Sequence, residues 1–151
     1  MFLPDKIPTG QFMWHDRTGA QLGSVGPPGK YRAFSLSPDE KWLTFESWDA
    51  EAKKQSVWLM DTERGVQARF TLETDADTYP VWLPDGRRIA FTSNRSGAAP
   101  SSASPRVGAF ELFVKAASGA GDERPLRVSA DTPLSWSSDG RFLLYSNTDA
   151  N

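Results

Sequence analysis

Apolar side chains recur at every second position through short stretches of this chain, separated by clusters of turn residues. Leu43 and Phe45, Ile89 and Phe91, and Leu143 and Tyr145 each stand two apart, a spacing that places a pair on one face of a strand and not of a helix. Before each pair lies a tight turn built on Asp39, Asp85 or Asp139. Pro38 and Pro84 pre-set φ there, the aspartates hydrogen-bond locally, and Gly86 and Gly140 accept positive φ. Glu40 stands where the other two copies have glycine, which costs about 1 kcal/mol if that residue is left-handed. A shorter strand precedes each turn and ends at Leu36, Trp82 or Trp136. The pattern therefore predicts three hairpins.

The hairpins belong to a repeat. Ala33 to Ser47, Tyr79 to Ser93 and Pro133 to Asn147 align without gaps, and their turn aspartates recur at intervals of 46 and 54 residues. Such a period matches one four-stranded supersecondary unit. Third strands are predicted at Val57–Met60 and Leu112–Val114, and fourth strands at Ala68–Leu72 and Pro125–Ser129. Pro125 is tolerable on an outer edge, where no ladder donor is missed. Gly97 to Gly108, rich in Ser, Ala and Pro, reads as an exposed insertion. Upstream, Phe12–Trp14 and Gln21–Val25 flank the turn Asp16–Gly19 and read as a third and a fourth strand. With strands named a to d from the inside of a blade outwards, the order is c-d, a-b-c-d, a-b-c-d, a-b. The expected fold class is all-β: a β-propeller segment of four-stranded antiparallel blades, three blades' worth in total. Residues 1–11 are expected as a linker or disordered start. The partial propeller covers 12–147, divided as 12–26, 31–72, 79–129 and 133–147, and 148–151 form a tail.

The string from Pro80 to Arg95, Pro-Val-Trp-Leu-Pro-Asp-Gly-Arg-Arg-Ile-Ala-Phe-Thr-Ser-Asn-Arg, resembles the WD40-like (PD40) repeat of TolB-type β-propellers. Leu83 departs from the usual Ser, and Ser138 from the usual Pro in the last copy. Trp14-His15-Asp16-Arg17-Thr18-Gly19 is similar to the opening of a subset that forms the C-terminal propeller of bacterial transmembrane serine/threonine kinases. The resemblance implies an interaction module, generally six-bladed, in a larger bacterial sensor or TolB-like protein. It also implies a periplasmic or extracytoplasmic setting, and no enzymatic activity. No glycine-rich kinase loop, H-R-D or D-F-G occurs in the 151 residues.

Charge and composition narrow the chemistry. Seventeen Lys+Arg against nineteen Asp+Glu give a net charge of -2, without the basic face of a nucleic-acid module. No apolar run approaches the roughly 18 residues of a membrane helix, and Met1–Gly10 lacks the apolar core of a signal peptide. With no cysteine and one histidine, His15, neither a metal site nor a cofactor is expected. Asp39, Asp85 and Asp139 are assigned to their turns. Asp77 and Asp131 each lie eight residues before a turn aspartate and precede the inner strand, where a propeller places the mouth of its channel. Tyr31 takes the same position in the first copy, and Tyr79 is a neighbour. These four residues are the candidate ligand- or partner-binding set; the alternative is that Asp and Thr merely cap the loop into the inner strand. Trp58, Trp82 and Trp136 are expected to pack between blades, and Trp42 and Trp48 to be partly exposed.

Two rival functions are open at this point: the propeller domain of a prolyl-oligopeptidase-like hydrolase, and a propeller glycosidase fragment. A further expectation is a homodimer closing a six-bladed ring, motivated by the open edges of a half-ring.

Overall fold

The computed structural model describes residues 8–49, 53–72, 76–95, 110–129 and 132–146. All of its regular elements are strands: β1 (Gly10–His15), β2 (Gln21–Gly29), β3 (Tyr31–Leu36), β4 (Trp42–Asp49), β5 (Lys54–Asp61), β6 (Gln67–Arg69), β7 (Asp77–Trp82), β8 (Arg88–Ser93), β9 (Glu111–Ala116), β10 (Arg124–Ser129), β11 (Thr132–Trp136) and β12 (Leu143–Ser146). They form four antiparallel sheets: β1-β2, β3-β4-β5-β6, β7-β8-β9-β10 and β11-β12. The sheets are two full blades between an outer half-blade and an inner half-blade, as the repeat pattern predicts. Several strands differ in extent: β1 starts at Gly10, β2 runs on through Pro27 and Pro28, β5 starts at Lys54, β9 runs on to Ala116, and β6 ends at Arg69, before Leu72. The expected insertion between Gly97 and Gly108 lies outside the described residues.

The blades pack face to face through three apolar seams. Val25, Leu43, Phe45 and Met60 fill the first, with Phe12, Trp14, Tyr31, Leu36 and Trp58 around them. Val57, Phe70, Trp82, Ile89, Phe91 and Phe113 fill the second. Leu83, Ala90, Leu112 and Val114 meet Trp136 and Leu143 in the third. Alternation along each strand divides its side chains between two seams: Ile89 and Phe91 enter the second and Ala90 the third. A middle blade is thus buried on both faces, and β8 is buried from Ile89 to Ser93. Trp58, Trp82 and Trp136 lie in the seams, while Trp42 is exposed and Trp48 half-buried.

The turns behave as their residues require. Ser37 and Ser137 donate to Asp39 and Asp139 at 2.6 Å, and the same hydroxyls accept the N–H of Trp42 and Phe142 at 2.9 Å. In the second copy Leu83 replaces that serine, and Asp85 is held instead by the Arg87 N–H at 2.8 Å and by the Arg88 side chain. The Ser37 and Ser137 hydroxyls, then the N–H groups of Lys41 and Arg141, hold Asp39 and Asp139 below the usual carboxylate range. Glu40 is left-handed at φ 62, matching Gly86 at 65 and Gly140 at 71. Glu40→Gly is therefore expected to raise stability by about 1 kcal/mol. Its N–H to Ser37 and its carbonyl, which accepts the Thr62 hydroxyl, use backbone only and survive the change. Urea unfolding followed by tryptophan fluorescence measures this, and a lower midpoint would contradict it.

Each inner strand carries an irregularity in its pairing with the next strand, between Arg32 and Phe34, Thr78 and Val81, and Pro133 and Ser135. Ala33 and Tyr79, equivalent in the repeat, adopt positive φ of 29 and 52. Pro133 takes that place in the third copy and its ring locks φ near −65°, and there the irregularity follows the proline.

Candidate functional site

The start of β7 and the end of β8 meet at one rim of the blades, where a group of charges is buried. Asp77 opens β7 with no exposed surface. Arg95, just beyond β8, reaches its Oδ1 at 3.5 Å and pairs through Nη1 with Glu123. Glu123 also takes Lys115 Nζ at 3.2 Å, and that ammonium donates to the Phe70 carbonyl of the preceding blade at 3.2 Å. The chain of charges lies over the second seam: the Arg95 guanidinium sits 4.2 Å from the Phe113 ring centroid, and Lys115 Nζ 5.1 Å from that of Phe70. Aromatic faces and alternating charges together offset the loss of hydration. Burial pushes the Asp77 carboxyl up, and Glu123 adds to the rise; the hydroxyls of Ser93 and Thr71 and the charge of Arg95 oppose it.

Glu46 of β4, also buried, joins the two full blades on the inner side. Its Oε2 accepts the Tyr79 N–H at 3.4 Å, and Arg32 Nη1 lies 3.9 Å from Oε1. Burial raises its carboxyl pKa against the pull of Arg32 and the Tyr79 N–H. Farther along β7, the Trp82 N–H donates to Ser35 Oγ at 3.2 Å. Side chains of the first blade thus satisfy backbone donors that β7, an edge strand, would otherwise leave unpaired.

The four sequence candidates fall in different surroundings. Asp77 is enclosed in the charge cluster and is not presented to solvent. Tyr79, half-buried, is held at the left-handed position of β7. Tyr31 packs into the first seam, its ring stacked 4.5 Å from Phe12 and its hydroxyl donating to the Pro27 carbonyl at 2.5 Å. Asp131 lies outside the described residues. Sequence reasoning missed Arg95, Lys115, Glu123 and Glu46. Arg95 closes the repeat string and could have been flagged by that place; the other three follow no spacing rule. His15 is exposed. Among the described residues no group of three or more His, Cys, Asp or Glu is placed to hold a metal ion, and no helix is long and apolar enough to cross a membrane.

Two grooves flank the half-blades. One, of about 740 Å³, lies between β1 and β3 and is lined by Phe12, Trp14, Tyr31, Phe34, Leu36 and Leu43 among others. The second, of about 590 Å³, lies where the outer strands of the second full blade meet the last hairpin, with Val114, Leu126, Arg88, Arg124 and Trp136 in its walls.

Four-stranded blades stacked face to face around their innermost strands define a β-propeller segment. Comparison with solved structures agrees. The chain superimposes on TolB from Acinetobacter baumannii with a TM-score of 0.66 at 21% identity, covering 98% of this chain and 37% of that one. A chain assigned as TolB in Agrobacterium tumefaciens gives 0.60 at 18% identity over 96% of this chain and 57% of that one. Its fold is that of TolB-like propellers. An uncharacterized peptidase of Bacillus subtilis (strain 168), YuxL, is 29% identical over 99 residues, 64% of this chain and 13% of the peptidase. No protein-family model matches the chain. It spans less than two thirds of each of these proteins.

Proposed function

We propose that this propeller segment is a non-enzymatic binding module of a larger bacterial sensor or TolB-like protein, recognising a protein or small ligand at the rim of the inner strands. The observation that carries this reading is the setting of Tyr79. Its backbone is left-handed at φ 52, its N–H is anchored to Glu46 of the neighbouring blade, and its side chain is half-buried at a rim stiffened by the Asp77–Arg95–Glu123 cluster. A non-glycine residue held in that conformation stores strain that the surrounding structure must over-determine, and such positions cluster at binding sites. An aromatic ring on a rigid base is an economical contact element, since few rotamers are lost on binding.

The test is selection of a random peptide display library on the immobilised chain, compared with Tyr79→Ala. The expected result is a consensus enriched on the wild type and lost on the variant, with unfolding midpoints alike. No consensus, or one indifferent to Tyr79, would remove the rim as the site.

The 99-residue match to a protein named as a peptidase favours one second reading, a propeller domain joined to a hydrolase. The full reading frame decides between them: an α/β-hydrolase domain with a G-x-S-x-G nucleophile elbow downstream would replace the first reading with the second.

A further inference from the structure

We infer that Glu46 is the positioning residue of the rim: from the first full blade it holds the backbone on which Tyr79 of the second is presented. This rests on the rim reading above and adds a control to it, since recognition then depends on how two complete blades meet. The joint lies between the sheets β3-β4-β5-β6 and β7-β8-β9-β10.

β7 needs such a holder because of its own irregularity. Thr78 faces Thr92 and Val81 faces Ala90, so Tyr79 and Pro80 together stand opposite Phe91 alone. This is a β-bulge, which leaves its extra residue outside the ladder. Pro80 has no N–H, so Tyr79 carries the one backbone donor of the pair. In a regular strand the N–H groups of residues three apart leave by opposite edges. Here those of Tyr79 and Trp82 both reach the first blade, at Glu46 Oε2 (3.4 Å) and Ser35 Oγ (3.2 Å). The left-handed backbone at Tyr79, φ 52, accompanies this turning of the first donor. Its acceptor, Glu46, is 2% exposed, so no bulk water is at hand to replace it. Arg32 does not account for the buried carboxylate: its Nη1 lies 3.9 Å from Oε1 and its side chain is 41% exposed, the setting of a weak surface pair.

The next joint supplies the comparison. The repeat puts Thr92 where Glu46 stands and Pro133 where Tyr79 stands. Thr92 is fully buried, its hydroxyl spent inside its own blade on the Thr78 hydroxyl at 2.9 Å and the Thr78 carbonyl at 3.3 Å. Pro133 has no N–H to be held. Acceptor and donor are thus replaced together. The other tie shows no such matching, for Val81 replaces Ser35 while Trp136 keeps its N–H.

Amide hydrogen exchange followed by NMR on the whole chain reads the inference with no ligand present. The Tyr79 amide is expected to be protected in the wild type. Glu46→Thr, the residue that the next joint uses, should speed its exchange by about tenfold or more. Glu46→Gln keeps a side-chain carbonyl within reach and should restore most of the protection. Peptides selected on the rim should bind Glu46→Thr about tenfold more weakly, and Glu46→Gln nearly as well as the wild type. Ser35→Ala cuts the other tie across the same joint and should leave both readings unchanged, which separates positioning from a general loosening. A Tyr79 amide that exchanges freely in the wild type, or is indifferent to Glu46→Thr, overturns the inference even where the peptides need Tyr79. A loss in Ser35→Ala equal to that in Glu46→Thr overturns it as well. Peptides indifferent to Tyr79 defeat the rim reading itself and this inference with it, whatever the amide does.

Discussion

Replacing Arg95 with methionine is expected to destabilise the segment by about 3–5 kcal/mol at neutral pH. Arg95 bridges the carboxylates of Asp77 and Glu123. Methionine keeps an apolar stem over Phe113, so the loss reports charge more than packing. The cost depends on pH, and its sign follows from Asp77. Burial already raises that carboxyl above its ordinary value near 3.8, so its protonated form favours the fold. The stability this provides is fully present below the unfolded value and is lost as pH rises through the folded one. Without the guanidinium the folded value climbs further, so the variant loses more as pH rises and less in acid. Urea titrations of both proteins at neutral pH and near pH 4.5 test this. A penalty that is flat with pH, or below about 1 kcal/mol, would show that the cluster is not electrostatically coupled. Adding Asp77→Asn to the variant should recover part of the loss, because the carboxylate left stranded becomes neutral.

Phe91→Ala is expected to cost a similar amount, about 3–5 kcal/mol, for a different reason. Phe91 has no exposed surface, stacks 6.1 Å from Phe113 of its own blade and meets Phe70 of the preceding blade edge-to-face at 6.3 Å. Alanine opens a cavity in the middle of the second seam, between two sheets that cannot collapse without shearing the backbone contacts at Ser35 and Glu46. That loss is a large share of the 5–15 kcal/mol typical of whole domains. Unlike the Arg95 penalty it should be nearly independent of pH. A loss under about 1.5 kcal/mol would mean that the blades slide together and the seam is softer than its geometry indicates.

The blades were legible because their signals are local. Leu43/Phe45 and Ile89/Phe91 declare strand faces within three residues, and Pro-Asp-Gly declares a turn. Even the irregular Glu40 could be priced from its place in the repeat, and the structure finds it left-handed. The site was less legible because its causes are not local. Nothing in the neighbourhood of Tyr79 announces positive φ; the conformation goes with a hydrogen bond from its N–H to Glu46 in another blade. The spacing of Asp77 placed it before the inner strand, but not its burial, which depends on Arg95 arriving from the end of β8 and Glu123 from the turn before β10. Charge pairs of that kind are set by how strand ends and turns of one blade meet, and leave no periodic trace.

The donors of β7 are answered by the preceding blade, Trp82 by Ser35 and Tyr79 by Glu46. In the next blade the same repeat positions hold Val81 and Thr92, which present no serine hydroxyl and no carboxylate. The blades are therefore not interchangeable parts, despite their common outline. A gene rearrangement that duplicated the second blade, or exchanged the two, would seat an inner strand beside a neighbour unable to answer it. Such a lineage would have to rebuild the joint residue by residue before the extra blade could be kept.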